Sequence, residues 1–186
     1  MNGNILSEIE INDLLTKRND FLVTSDTWFG RSSILEIANR KFSNLNNMNS
    51  ELIKKWNSVV KSRDIVFHLG NFAWDPITCE NVLKKLNGVI IFMKSCNDVA
   101  LLEQNNVYIS AESILLLKKF DVVLCHYPLK NWPGKESGTI HFHGHEVYSN
   151  DTVLTKGCNI VNVCTDFWDY KPVKFSDIKL IIDYKF

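Results

Sequence analysis

No stretch of this chain comes near the roughly 20 consecutive apolar residues that a membrane-crossing helix needs. No net charge is left over either, because 21 basic side chains meet 21 acidic ones with no long run of either sign. A duplex nucleic-acid binder or an anchor for an anionic bilayer needs a concentrated basic face, so neither partner is expected. The five cysteines (Cys79, Cys96, Cys125, Cys158, Cys164) form no C-x-x-C pair, and an odd count does not describe a disulfide framework. With no signal peptide at the start, the expected location is a reducing cytoplasm. Repeats, low-complexity tracts and disordered runs are missing as well.

What remains is a chain of 186 residues with 45% hydrophobic side chains, the size and composition of one soluble globular domain. Its chemistry gathers around Asp64-Ile-Val-Phe-His-Leu-Gly-Asn71. This short apolar run reads as a buried strand closed by a glycine and a polar side chain. Phe21–Asp26, Val89–Asp98 and Val122–Pro128 end in the same polar way, and Thr139–His145 carries three histidines in five residues. In open α/β sheets ligands bind in the crevice beyond such strand ends. Helices are expected over residues 5–17, from Ser32 or Ser33 to Asn39, over 49–61, from the Asp75-Pro76 cap to Leu86, and after a Ser176 cap. A helical turn is expected over 98–104, and the Asn-rich piece 43–49 reads as a loop. Further strands are expected at 106–110, 112–118, 121–126, 139–143 and 159–164. Alternating β and α followed by mostly β gives an α/β class with two sheet layers and helices outside. Residues 1–18 form a helical extension and 19–186 a single domain.

The order of motifs resembles the calcineurin-like metallophosphoesterases, most closely their short bacterial and phage branch. The residues that carry the likeness are Ser25-Asp26-x-x-Phe29-Gly30, Trp56-Asn57-x-Val59-Val60, Asp64-x-Val66-x-x-Leu69-Gly70 and Leu86-Asn87-Gly88. Asn97-Asp98, His126-Tyr127-Pro128-Leu129 and His143-Gly144-His145 complete it. The resemblance implies a four-layer α/β/β/α sandwich in which two metal ions at the strand ends activate water against a phosphate ester.

The departures from that pattern fall on its ligands. Trp28 stands where the family's Asp-x-His motif has histidine, and an indole offers a metal no lone pair. Asn71 replaces the bridging aspartate, whose charge offsets two close cations. Cys96 replaces a ligating asparagine, Asn97 the histidine that assists the chemistry, and Val147 the second histidine of Gly-His-x-His. Asp26, His126 and His145 remain. The candidate metal set is therefore His126, His145, Cys96, Asn71 and Asp26, which implies no cofactor or one divalent ion, zinc or manganese. Cys96 with the two histidines would favour zinc; the same histidines read equally as polar cleft residues. Arg31, Asn97 and His143 are candidates for holding a ligand, and no residue is assigned as catalytic. His68 reads as structural, and His141 as packed within its sheet.

The expected function is a metallophosphoesterase-like pseudoenzyme, inactive or severely impaired, that binds a protein partner or a nucleotide or phosphate. An active phosphoesterase with one metal or relocated ligands is the alternative. The N-terminal amphipathic helix, too short to stand alone in water, covers its apolar side either on its own domain or on a second protein.

Overall fold

The computed structural model describes residues 4–148 and 159–185; Cys158 lies outside them. The strands are β1 (Asn4–Leu6), β2 (Leu22–Thr24), β3 (Ile65–His68), β4 (Val89–Phe92), β5 (Tyr108–Ser110), β6 (Ile114–Leu117), β7 (Val122–Cys125), β8 (Ile140–His143), β9 (Ile160–Asn162) and β10 (Val173–Lys174). The helices are α1 (Glu8–Leu15), α2 (Ile34–Ile37), α3 (Leu45–Val59), α4 (Pro76–Leu83), α5 (Val99–Leu102) and α6 (Phe175–Lys185). A six-stranded sheet runs β1-β5-β4-β3-β2-β10 and a four-stranded sheet runs β6-β7-β8-β9. The first is parallel except for β10, and the second is parallel except for β6.

Side chains alternate across each strand, and that alternation builds the layers. Ile65 and Phe67 of β3, Ile91 of β4, Leu124 of β7 and Phe142 of β8 share one core between the sheets. Val66 of β3 and Ile90 and Phe92 of β4 face the other way, onto Met48, Leu52 and Trp56 of α3 and Cys79 and Val82 of α4. On the far side of the second sheet, Trp132 from the long loop after β7 packs 5.2 Å from the His141 ring, its Nε1 donating to the Thr139 carbonyl. The architecture is thus mixed α/β, with two parallel-rich sheets and helices flanking the first. No described helix is long and apolar enough to cross a membrane.

Three local expectations need correction. Residues 5–17 are not one helix, because Ile5 pairs with Ile109 in β1 and the helix starts only after Ser7. Ser7 caps it reciprocally with Glu10, a capping box that fixes the boundary. The Asn-rich piece is partly helical: the Asn44 side chain accepts from the Asn47 N–H at 2.9 Å, and α3 begins four residues before the expected start at Asn49. Ser176 does not cap α6. Its N–H and hydroxyl both donate to the Asp20 carboxylate, at 3.1 and 2.6 Å, and the helix begins at Phe175 beside the unexpected strand β10.

The N-terminal segment is built into the domain rather than appended to it. Ile11 and Leu15 are 0% exposed in the core between the sheets, and β1 forms an edge of the six-stranded sheet.

Candidate functional site

The parallel strands of both sheets end at one rim. Beyond β2 and β9, Ser25 bridges Cys164, and the Ser25 carbonyl accepts from the Thr165 N–H at 2.9 Å, joining the two sheets there. Beyond β2 and β3, Asp26 N–H donates to the Gly70 carbonyl at 3.0 Å and Trp28 N–H to the Asn71 carbonyl at 2.9 Å. The chain is forced through sharp turns here. Asp26, Trp28, Asn71 and His145 all hold left-handed backbone, with φ of 59, 53, 58 and 72°. Such conformations cost a non-glycine residue free energy and persist only where the surroundings over-determine them, which is common at functional sites.

One side chain supplies much of that determination. Arg40 donates from Nη1 to the Thr27 carbonyl at 2.8 Å and from Nη2 to the Asp26 carbonyl at 2.6 Å. Its other face makes a two-point pair with Asp166, both contacts at 2.8 Å. Burial pushes the Asp166 carboxyl up, against the opposing pull of Arg40. The sequence does not pair them, since 126 positions separate them and no motif includes both.

Inside this frame the polar groups pair with one another. The Asp26 carboxylate accepts from Asn71 Nδ2 at 2.7 Å, His145 N–H at 2.8 Å, Cys164 Sγ at 3.0 Å and the Ser25 hydroxyl. Burial pushes its carboxyl up, but the charge of His126 and these hydrogen bonds outweigh that and leave it below the usual range. Asn71 Oδ1 accepts from Ser95 Oγ at 2.7 Å and Asn97 Nδ2 at 3.0 Å. Asp98 accepts from the N–H groups of Asn71, Phe72 and Ser95 at 2.7–2.9 Å, holding the ends of β3 and β4 together. His126 Nδ1 donates to the Leu69 carbonyl at 2.8 Å, and its Nε2 lies 3.4 Å from Asn71 Nδ2. Gly144 is required by close approach, since a Cβ there would collide with Ser25 Oγ and Asp26 Oδ2.

Of the residues expected at the site, Asp26, Asn71, His126 and His145 therefore converge. Cys96 stands apart: it is exposed, and its Sγ lies 3.9 Å from the Tyr127 hydroxyl. Asn97 and Arg31 line a cleft of about 450 Å³ together with Asp26, Trp28, Asn71 and His145. His143 does not line it; buried on the outer side of β8, it donates from Nδ1 to the Gly144 carbonyl at 2.9 Å. The Arg31 guanidinium lies 4.1 Å from the Trp28 ring centre and 5.0 Å from that of Trp74, with Nε donating to Ser33 Oγ. Ser25, Ser95, Arg40, Cys164 and Asp166 belong to the site without having been among the residues expected to form it.

The two-metal group implied by the family resemblance does not fit these donors. Among the described residues no three His, Cys, Asp or Glu side chains gather to hold an ion. Both Asp26 oxygens are occupied by donors, and Asn71 turns its NH₂ toward Asp26 and His126 Nε2. A cation on that side needs lone pairs, and an amide nitrogen offers none.

The buried histidines make stability depend on pH. Burial lowers His68 from 6.5 to about 4 despite the nearby Asp98 and Asp26 carboxylates, and it lowers His141 to about 4 as well. The neutral form fits their partners: His68 Nδ1 accepts from the Gly70 N–H at 3.3 Å while its Nε2 lies 3.0 Å from Thr27 Oγ1, and His141 Nε2 accepts from the Leu129 N–H at 3.1 Å. Above pH 6.5 both are neutral folded or unfolded. Below it the unfolded chain takes up protons that the folded one refuses, so stability falls until pH reaches about 4. Each contributes a loss on the order of 3 kcal/mol over that window. Urea denaturation at pH 7.5 and 4.5 should show a clear drop in midpoint at the lower pH; equal midpoints would contradict the neutral, buried histidines.

No family model matches the chain. The uncharacterized protein MJ1445 of Methanocaldococcus jannaschii is 30% identical over 178 residues, which take in 91% of this chain and 94% of that protein. Among solved structures, the protein of unknown function AQ665 from Aquifex aeolicus superposes with a TM-score of 0.67 over 88% of this chain and 99% of that one. At 21% identity the second likeness is one of fold.

Proposed function

The chain belongs to the family of the archaeal protein MJ1445, and within that family we propose a metallophosphoesterase-like protein that binds a phosphate-bearing ligand without hydrolysing it. The two sheets are then the sandwich of such enzymes, with α3 and α4 as one outer layer and the Trp132 loop lying where a second helical layer would be. The observation that carries the reading is the Asn71 amide, which spans Asp26 Oδ1 at 2.7 Å and His126 Nε2 at 3.4 Å where the family's bridging carboxylate would meet its metals. A hydrogen-bonded amide keeps these strand ends closed without cations.

The chemistry of turnover is missing from the same set of residues. Asn97 cannot donate a proton as an acid near neutral pH, and a positioned general acid is worth on the order of 10²–10⁴ in rate. What the cleft does offer is binding: a guanidinium held against aromatic rings at Arg31 and an exposed amide at Asn97. The integration of α1 into the core leaves a small ligand better supported than a protein docked on a free N-terminal helix. Hydrolysis of bis- and mono-nitrophenyl phosphate with excess manganese should stay at background. Robust turnover that disappears in His126→Ala would overturn this reading and restore an enzyme.

A further inference from the structure

The cleft has a feature that phosphate binding alone does not use. Aromatic rings that could have been buried stand in water around it. Tyr148 lines the cleft and is 69% exposed; Trp74, beside Trp28 and Arg31, is 55% exposed. Tyr127, 43% exposed, lies edge-on against His145 with ring centres 4.8 Å apart. Large apolar rings are normally driven into cores, and leaving them at a concave polar site suits a ligand that brings a flat face of its own. A larger hollow of about 520 Å³ between α4 and residues 103–106 has no such rings and none of the buried polar network.

Arg31 supplies the opposite pole. Its Nε is committed to Ser33, while the described residues provide no hydrogen-bond acceptor for its terminal Nη groups. A planar fork held by two indoles and left with spare donors is suited to two oxygens of a phosphate. The lining of the cleft therefore includes both a cationic phosphate grip at Arg31 and the aromatic residue Tyr148. Its 450 Å³ falls within the range of small-molecule pockets.

We infer that the ligand is a nucleotide, with its phosphate on Arg31 and its base stacked on Tyr148, held without a metal ion. This rests on the binding reading above and goes beyond it by requiring a base. Asn97 and Glu146, also at the lining, offer polar groups to a sugar or a base edge.

Calorimetry in EDTA separates the parts, using inorganic phosphate, ribose 5-phosphate, adenosine, and AMP, GMP, CMP and UMP as probes. At least one nucleotide should bind about tenfold or more tighter than ribose 5-phosphate, the gain of one base–aromatic stack. Tyr148→Ala should remove that difference and leave ribose 5-phosphate binding unchanged. Arg31→Ala should weaken phosphate, ribose 5-phosphate and nucleotide alike, and Arg31→Lys should restore only part. Circular dichroism on each variant separates lost binding from lost folding. If ribose 5-phosphate binds as tightly as every nucleotide, or if Tyr148→Ala leaves the difference intact, the base site is wrong while phosphate binding stands. If neither phosphate nor any nucleotide binds, both inferences fall.

Discussion

Deleting residues 1–18 should unfold the protein, not merely trim it. Ile11 and Leu15 are fully buried between the sheets, and emptying each costs about 2–5 kcal/mol even when only the side chain is shortened to alanine. The deletion also removes edge strand β1 from β5 and takes away Asn12, whose side chain donates to the Leu116 carbonyl and accepts from the Lys118 N–H, both at 2.9 Å. Set against a net stability of about 5–15 kcal/mol for a domain, those losses are comparable with the whole. Far-ultraviolet circular dichroism and a thermal melt of the truncated chain would read this directly. A cooperative transition within a few degrees of the full chain would mean that the segment only covers the surface. Ile11→Ala gives a milder check, with a loss of about 2–5 kcal/mol in urea.

Arg40→Ala should cost about 3–5 kcal/mol, the penalty for removing one partner of a buried ion pair. The variant leaves the Asp166 carboxylate without its guanidinium and strands the carbonyls of Asp26 and Thr27, both in the turn that shapes the cleft. The left-handed residues Asp26 and Trp28 then lose a clamp that offsets their strain. The double variant Arg40→Met/Asp166→Leu should lose much less than Arg40→Ala, because it removes the buried charge together with its partner. Urea midpoints of the two variants decide the matter. A loss below about 1 kcal/mol for Arg40→Ala would show the pair to be solvated in solution.

Much of the scaffold was legible because burial writes itself into apolar runs. The runs before Asp26, Asn71, His126 and His145 were visible as strands, and strand ends in parallel sheets collect at one rim, so these four residues meet as expected. The Asp75-Pro76 cap also reads directly, with the Asp75 side chain accepting from the Thr78 N–H at 2.8 Å. Short elements that owe their form to distant partners were not legible. β1 has three residues whose two apolar side chains also suit a helical turn, and only its pairing with β5 settles the conformation. α6 is held at its start by Asp20, 156 positions away from Ser176.

The site divides in the same way. That Trp28, Asn71 and Val147 stand where the resembled family would have metal ligands is plain in the sequence, but what surrounds them is not. The Cys164 thiol and the Ser25 hydroxyl become partners of Asp26 only because β9 and β2 end side by side. Cys96, a zinc ligand by residue type, turned out to be an exposed thiol beside Tyr127, since its loop leaves it outside the buried network.

We propose that the Asn71 amide closes this cleft in place of metal ions. Calorimetric titration of the purified, EDTA-treated protein with Mn²⁺ and with Zn²⁺, repeated on Asn71→Ala, tests it most directly. No two-ion binding is expected for the wild-type protein with either metal, and Asn71→Ala should be destabilised without any metal present. Two tightly bound ions per chain, lost on changing Asn71, would contradict the account.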